Sequence, residues 1–425
     1  MNTRAVTVSD EKKKSRAALA LIWLCWLAYT CSYIGKVNYA ANINQVMSFY
    51  GVDHAAAGLV STFLFFSYGV GQFVNGFLCK KYNLKWIIFA SLMVSGIINL
   101  AVALTPSFEI VKYLWLVNGF ALSVLWPCVI RLLSENLSKK YMAKASVIMG
   151  TTVASGTFAI YAASAVFASF NAFKLAFIAA AVFMPLVALI WIFSVSKITE
   201  QAREATADDD VEEQQAEKKQ ARSGADAKTM LFILVGVLAV YAIVTNLIKD
   251  GLTTWIPSIL KENYGLDDSF SIILSLALPL VAVFSNFLAV AMNKRIPDFV
   301  AHCAVNFTVA GVIIGVVIGG LSLGQFAITL IGFAVVCFLA SACNNTITSI
   351  FPLYMKDKVN SGMMAGVLNG CCYIGSTAAS YGLGLVADNL GWSAVFWLLL
   401  FACIAAVAIA LVYIVIKKSL NKNKG

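Results

Sequence analysis

Runs of more than twenty apolar residues recur along nearly the whole chain, and they constrain its fold more than any other feature. About 20 such residues make a helix long enough to cross the ~30 Å hydrocarbon core of a bilayer. The runs do not alternate with a period of two, which argues against a β-barrel. With 60% hydrophobic and 12% charged residues, the chain is unsuited to be a soluble enzyme or a nucleic-acid-binding domain. The sequence therefore predicts an all-α membrane protein.

The apolar runs between clusters of charge predict twelve membrane spans in two sets of six. The first set lies near residues 17–47, 56–79, 86–105, 111–134, 145–169 and 173–196. The second lies near residues 229–259, 269–292, 298–320, 325–352, 360–386 and 392–416. The intervening segment mixes acidic and basic residues without apolar periodicity, which is typical of a solvated linker. We therefore expect an N-terminal six-helix bundle (1–196), a cytoplasmic linker (197–228) and a C-terminal six-helix bundle (229–425).

Lysine and arginine divide unequally between the two sides of the membrane that this map defines. Of 31 such residues, 26 lie on the side of the two termini and three lie in the opposite loops. Cytoplasmic loops of membrane proteins carry the excess of basic residues. We therefore expect both termini in the cytoplasm and a multi-pass protein of the cell inner (cytoplasmic) membrane. The net charge of +10 then faces the inner leaflet rather than a nucleic acid.

Two lysines lie inside predicted spans. Lys36 is the only charged residue between Arg16 and Asp53. Lys249 lies in span seven, twelve residues before Lys261. A charge at membrane depth costs several kcal/mol and by default marks a pathway or a binding site. For each lysine, a position near the end of a tilted helix is the alternative.

The two lysines belong to an internal repeat. They are 213 residues apart, and the sequence Tyr-Gly-Val-Asp at 50–53 recurs 214 residues later as Tyr-Gly-Leu-Asp at 264–267. Span seven therefore repeats span one in the same orientation. Transporters built from two parallel six-helix halves bind their substrate between the halves, near the middle of the membrane.

Several segments resemble one family. Residues 33–39 read Tyr-Ile-Gly-Lys-Val-Asn-Tyr, and residues 247–251 read Leu-Ile-Lys-Asp-Gly, followed by Trp-Ile-Pro at 255–257 and Lys-Glu at 261–262. Span eleven contains Tyr-Ile-Gly at 373–375. These segments resemble the organophosphate:phosphate antiporters of the major facilitator superfamily, which include glycerol-3-phosphate and hexose-phosphate transporters. The resemblance implies the major facilitator fold, with its two halves related by a pseudo-two-fold axis, and transport by alternating access.

The resemblance also implies a binding site. Lys36 and Lys249 stand where the family has two phosphate-binding arginines, and Tyr29 and Tyr33 fall on family tyrosines. Helical spacing puts Tyr29, Tyr33 and Lys36 on one face of span one. For the asparagines, hydrogen bonding between helices is an equal alternative to lining a cavity. The expected substrate-binding residues are Lys36, Lys249, Tyr29, Tyr33, Tyr373, Asn38, Asn246, Thr152 and Gln72.

Some positions depart from the family. Gln72 and Thr152 stand where phosphate transporters often carry a lysine and a histidine, and both arginines are lysines. Lysine offers a point charge instead of a bidentate fork, so selectivity for a phosphate dianion should be weaker. Asp250 adds an acid beside Lys249. If Asp250 faces the cavity, it lowers the fixed charge of the site to +1, which suits a monoanion, and it could carry a proton; otherwise it faces an adjacent helix.

These observations leave three functions open. The leading hypothesis is secondary active transport of a small organic anion, a phosphorylated metabolite exchanged for inorganic phosphate. The alternative is a proton-coupled symporter of a carboxylate, such as a sugar acid, that uses Asp250. A membrane sensor of a sugar phosphate is the third, although the linker of 32 residues is too short for a signalling domain.

Other classes of protein are not expected. The sequence contains no Walker motif, no Gly-x-Ser-x-Gly elbow and no paired carboxylates with catalytic spacing, so we predict no enzyme. The ten cysteines lie within or at the edge of apolar segments and form no Cys/His cluster, so we expect neither metal nor cofactor. The expected partners are the anionic substrate, phosphate or a proton as coupling ion, and the lipid bilayer. The fold requires only one chain, so we expect a monomer.

Overall fold

A computed structural model describes residues 8–78, 81–206, 225–355 and 361–422, and the regular elements of these residues are helices. The linker residues 207–224 lie outside the described residues. In chain order the helices are α1 Val8–Ala41, α2 Ile43–Tyr50, α3 His54–Leu78, α4 Leu84–Leu104, α5 Phe108–Ser123, α6 Leu125–Asn136, α7 Lys139–Met149, α8 Thr152–Ser169, α9 Lys174–Thr206, α10 Ala225–Tyr264, α11 Asp268–Ser275, α12 Ala277–Arg295, α13 Phe299–Ser322, α14 Phe326–Asn345, α15 Phe351–Tyr354 and α16 Ser361–Lys422. A π-helical turn, Thr346–Ile350, joins α14 to α15.

Within the described ranges, eleven helical segments are long and apolar enough to cross a membrane. The last of them, Gly366–Ser419, has 54 residues, more than twice the ~20 that one crossing needs. It bends at Gly391, where φ is 80° and ψ is 169°. This segment therefore contains spans eleven and twelve, and the predicted all-α architecture of twelve spans is confirmed. Span two is α3, span seven is α10, and span eleven is the part of α16 before Gly391.

Spans four and eight each consist of two helices rather than one. The breaks lie at Val124, between α5 and α6, and at Leu276, between α11 and α12. A proline follows each break by three residues, Pro127 in one case and Pro279 in the other. Proline has no N–H to donate, and the first turn of a helix is where a backbone N–H lacks a partner within the helix. Each proline therefore fits the start of a new helix.

The repeated tetrapeptide forms the same turn between two helices in each half. Gly51 and Gly265 adopt left-handed φ values of 65° and 63° after the helices that they end. The following aspartates begin the next helices: the Asp53 carboxylate accepts a hydrogen bond from the Ala56 N–H (2.7 Å), and the Asp267 carboxylate accepts one from the Phe270 N–H (2.8 Å). Glycine tolerates positive φ, and aspartate satisfies the free N–H groups of a helix start.

The pseudo-two-fold axis passes between spans one and seven. The Ser258 hydroxyl donates a hydrogen bond to the Asn44 side-chain oxygen (2.6 Å), and these residues are 214 positions apart, the offset of the repeat. Equivalent positions of two repeats touch each other only close to the axis that relates them. The two halves are therefore arranged face to face.

Spans two and eleven form the longest contact between the halves. The Thr62 hydroxyl donates to the Thr377 carbonyl (3.1 Å), and the Asn369 amide donates to the Gln72 side-chain oxygen (2.9 Å). On the other side of the axis, the Ser269 hydroxyl donates to the Ala165 carbonyl (2.7 Å), joining spans eight and five. The outer faces carry exposed apolar side chains, including Phe193, which a lipid environment would cover.

Candidate substrate-binding site between the two halves

Lys36 lies in span one with only 7% of its surface exposed. Three aromatic rings surround its ammonium group: the Nζ atom is 3.7 Å from the centre of the Tyr68 ring, 5.1 Å from Tyr33 and 5.5 Å from Tyr373. Tyr33 and Tyr68 belong to the first half, whereas Tyr373 belongs to the second. A cation over an aromatic face gains about 0.5–2 kcal/mol. The rings therefore partly offset the cost of burying this charge.

Among the described residues, no carboxylate forms an ion pair with Lys36. The ammonium has three N–H donors, and the aromatic faces satisfy them only weakly. A buried charge without a counter-ion is costly, and an anion that enters the site removes that cost. The surroundings of Lys36 thus suit a negatively charged ligand.

Lys249 has a different environment. Its Nζ lies 2.9 Å from an oxygen of Asp250, and the Ser376 hydroxyl of span eleven donates a hydrogen bond to the other oxygen. The two side chains of this pair are 27% and 19% exposed. Span eleven links this pair to Lys36, because Tyr373 faces Lys36 and Ser376, one helical turn later, contacts Asp250. The formal charges of two ammonium groups and one carboxylate add up to +1.

The tyrosine rings around Lys36 also contact one another. The rings of Tyr29 and Tyr33 meet edge to face with centroids 5.6 Å apart, and those of Tyr68 and Tyr373 lie 4.9 Å apart. The Gln72 amide donates to the Tyr68 hydroxyl (3.2 Å). Four of the predicted residues, Tyr29, Tyr33, Gln72 and Tyr373, are therefore brought together around Lys36.

Three other predicted residues make hydrogen bonds with the protein itself. The Asn38 amide donates to the Asn99 side chain (2.7 Å), and the Asn246 amide donates to the Asn344 side chain (3.0 Å), each joining two helices. Thr152 is fully buried and its hydroxyl donates to the Met149 carbonyl (2.6 Å). Both asparagines therefore form hydrogen bonds between helices, which is the alternative to lining a cavity.

Sequence reasoning missed two residues of the site, Tyr68 and Ser376. Tyr68 lies one helical turn before Gln72, so the i, i+4 spacing was a signal that could have identified it. Ser376 had no comparable signal, because a serine within a span is most often bonded to its own helix. It becomes part of the site only because span eleven packs against span seven beside Asp250.

Comparisons with known proteins identify the family of this chain. The family model of the Major Facilitator Superfamily matches residues 25–380. A "Probable hexose phosphate transport protein" of Chlamydia pneumoniae is 24% identical over 129 residues, which span 30% of this chain and only 28% of that protein. "Sugar phosphate exchanger 3" of Bos taurus is 24% identical over 385 residues, covering 80% of this chain and 76% of that protein.

The fold also matches a solved transporter structure. A bacterial homolog of the human lysosomal transporter Spinster, in an inward-facing and occupied conformation, superposes with a TM-score of 0.73. It is 14% identical, and the match covers 93% of this chain and 96% of that one. These relatives and structural neighbours are transporters rather than enzymes. This chain belongs to the major facilitator superfamily, and it is a multi-pass membrane protein.

Proposed function

We propose that this transporter exchanges a phosphorylated metabolite for inorganic phosphate, and that the anion binds between Lys36 and Lys249 in the cytoplasmic membrane. The observation that carries the proposal is the buried ammonium of Lys36, which faces aromatic rings and no described carboxylate. The relatives that are named as hexose phosphate and sugar phosphate transporters support phosphorylated sugars as the first substrates to test.

The charge of the site suggests how binding would permit transport. With no substrate, one positive charge in the site is uncompensated, and moving it through a closed, dry state is costly. A bound anion neutralises that charge and lowers the barrier to rocking one half against the other. Because the net charge is +1, a singly charged anion balances it best. Exchange follows, since the carrier moves poorly unless an anion occupies it.

A second candidate function, proton-coupled symport of a carboxylate, is favoured by the contact between Asp250 and Lys249. A proton on Asp250 would break this ion pair and release Lys249 to hold a carboxylate. Proton binding and substrate binding would then favour each other. The coupling ion, rather than the anion site, distinguishes this candidate from phosphate exchange.

The test is transport by the purified chain in liposomes. The liposomes are loaded with labelled inorganic phosphate, and efflux is measured while phosphate esters, sugar acids or inorganic phosphate are added outside. We expect efflux to accelerate with inorganic phosphate and with at least one phosphate ester, and to be independent of a pH gradient. If phosphate does not exchange but a carboxylate accumulates when a pH gradient is imposed, exchange is rejected and symport is adopted.

A further inference from the structure

A second cluster of charges joins the two halves at the start of span two, away from the Tyr68 and Gln72 end that lies at the lysine site. His54, the first residue of that span, lies between two carboxylates of the other half. Its Nδ1 atom is 2.6 Å from an oxygen of Asp388 at the end of span eleven. Its Nε2 atom is 2.6 Å from an oxygen of Glu262 at the end of span seven. The lysine site does not include these three residues.

The hydrogen bonds of this cluster require an additional proton. A neutral imidazole has one N–H, so it can donate to only one of two carboxylates. Both carboxylates also accept hydrogen bonds from other donors: Glu262 from the Trp392 indole (2.8 Å), and Asp388 from the backbone N–H of Ala55 (2.7 Å). Two contacts of 2.6 Å therefore need a proton on the second ring nitrogen or on a carboxylate. In either case the cluster holds one proton more than neutral histidine with two carboxylates.

The cluster exists only while the halves are together at this end. The Asp388 carboxylate accepts from the N–H groups of His54 and Ala55, so the second half supplies the cap for a helix of the first half. The Trp255 and Trp392 rings flank the imidazole, with centroids 5.5 Å and 5.3 Å from its own. Separation of spans two and eleven would remove the carboxylate from both the imidazole and the helix start.

The other described charges nearby are engaged elsewhere. Asp53, next to His54 in the chain, accepts from the Ala56 N–H and caps the same helix. Lys261, next to Glu262, pairs with Asp268 (2.9 Å). The groups that face the imidazole from spans seven and eleven are thus the two carboxylates, Glu262 and Asp388, and both favour the protonated ring.

We propose that His54, Glu262 and Asp388 form a proton-operated latch: closure of the halves at this end binds a proton, and acid stabilises the closed state. By thermodynamic linkage, a proton that binds the closed state more tightly than the open one shifts the equilibrium toward closure. Histidine is the side chain suited to such a change near neutral pH. The latch does not depend on which anion is carried.

The test follows the exposure of a residue buried in this contact. Ser380 of span eleven is fully buried, and its carbonyl oxygen lies against Gly58 of span two. In a Ser380→Cys chain, purified in detergent without substrate, the rate of maleimide labelling at position 380 is measured by peptide mass spectrometry from about pH 5.5 to about pH 8. The same chain with His54→Gln gives the matched rate, so the pH dependence of the thiol itself cancels in the ratio.

We expect the chain with His54 to be labelled about tenfold more slowly than the His54→Gln chain at the acid end, and the two rates to converge at the alkaline end. A ratio that is constant with pH would overturn the proposal. Glu262→Gln, which preserves the size of the side chain, should weaken the acid protection in the same way and serves if His54→Gln does not fold. Lys294→Ala, which changes an exposed lysine outside both clusters, should leave the protection unchanged. Because labelling is measured without substrate, failure of the latch is distinct from failure of the proposed transport function.

Discussion

At the scale of the residue, the two lysines of the site differ although they occupy nearly equivalent positions of the repeat. Lys36 faces the rings of Tyr33, Tyr68 and Tyr373, whereas Lys249 is paired with Asp250. The sequence drew attention to both lysines, because a charge at membrane depth stands out in an apolar run; their role in binding stays a prediction. It left the direction of Asp250 open, because neighbouring side chains of a helix diverge by about 100° and only the packing of span eleven decides where each one points.

We predict that Asp250→Asn raises the preference of the site for doubly charged anions. The net charge increases from +1 to +2, and one charge acts over about 10 Å with roughly 2 kcal/mol at an effective dielectric constant of about 20. Inhibition of transport by a phosphate ester, relative to its carboxylate analogue, should therefore rise by about tenfold. Ser376→Ala, which removes the hydrogen bond but keeps the carboxylate, is the control. An unchanged ratio in Asp250→Asn would mean that its charge does not act on the substrate.

The Tyr68 ring should matter more than its hydroxyl. Its centre lies 3.7 Å from the Lys36 ammonium, and such a contact stabilises the charged lysine, which is the form that binds an anion, by about 0.5–2 kcal/mol. Tyr68→Leu should weaken the apparent affinity for phosphate by roughly three- to tenfold, whereas Tyr68→Phe should keep it within about twofold. Concentration dependence of phosphate exchange measures both. Equal losses in the two variants would instead assign the effect to the hydroxyl and its bond with Gln72.

At the scale of the element, spans two and eleven pack closely where the halves meet. A Cβ atom at Gly58 would overlap the Ser380 carbonyl oxygen and lie 2.9 Å from the Trp255 ring. Sequence alone could not identify this contact, because Gly58 is one of 28 glycines and its partner lies in the other half. The prolines likewise do not predict helix breaks from sequence alone. Pro127 and Pro279 follow breaks, whereas Pro185 and Pro257 lie inside unbroken helices.

We predict that Gly58→Leu keeps the halves apart at this end. Overpacking of a close contact costs about 1–3 kcal/mol, and here that cost falls on the closed state alone. The rate of maleimide labelling at position 380 of the Ser380→Cys chain should rise by roughly tenfold or more. Gly382→Leu, on span eleven with open space around it, should leave the rate unchanged. If the two variants label alike, the contact between Gly58 and Ser380 does not govern closure.

At the scale of the whole molecule, the amino-acid sequence predicted the architecture better than it predicted individual contacts. Apolar runs predicted the spans, and the repeat of Tyr-Gly-x-Asp predicted the relation of the halves, because both depend on local chemistry. The contact between Asn44 and Ser258 then places the axis, which requires the packed structure. The limits of the two bundles and of the linker remain predictions.

The orientation in the membrane is a prediction from the basic residues. With 26 lysines and arginines on the side of the termini and three on the other side, both termini should be cytoplasmic. A fluorescent protein fused to the carboxyl terminus should therefore fluoresce in a bacterial host, while alkaline phosphatase fused there should be inactive. Active alkaline phosphatase at this terminus would reverse the orientation, and His54 would then lie on the cytoplasmic side.

The most direct test of the central claim, that an anion crosses the membrane by way of the buried lysines, is phosphate exchange by lysine variants at equal density in liposomes. Wild type and Lys294→Ala, whose exposed lysine lies at the end of a helix, should exchange labelled phosphate at the same rate. The exchange rate of Lys36→Ala should be at least about tenfold lower than that of wild type. This substitution removes the only charge of the site that lacks a counter-ion among the described residues. Lys249→Ala should lose exchange as well. Exchange at the wild-type rate in Lys36→Ala would contradict the account.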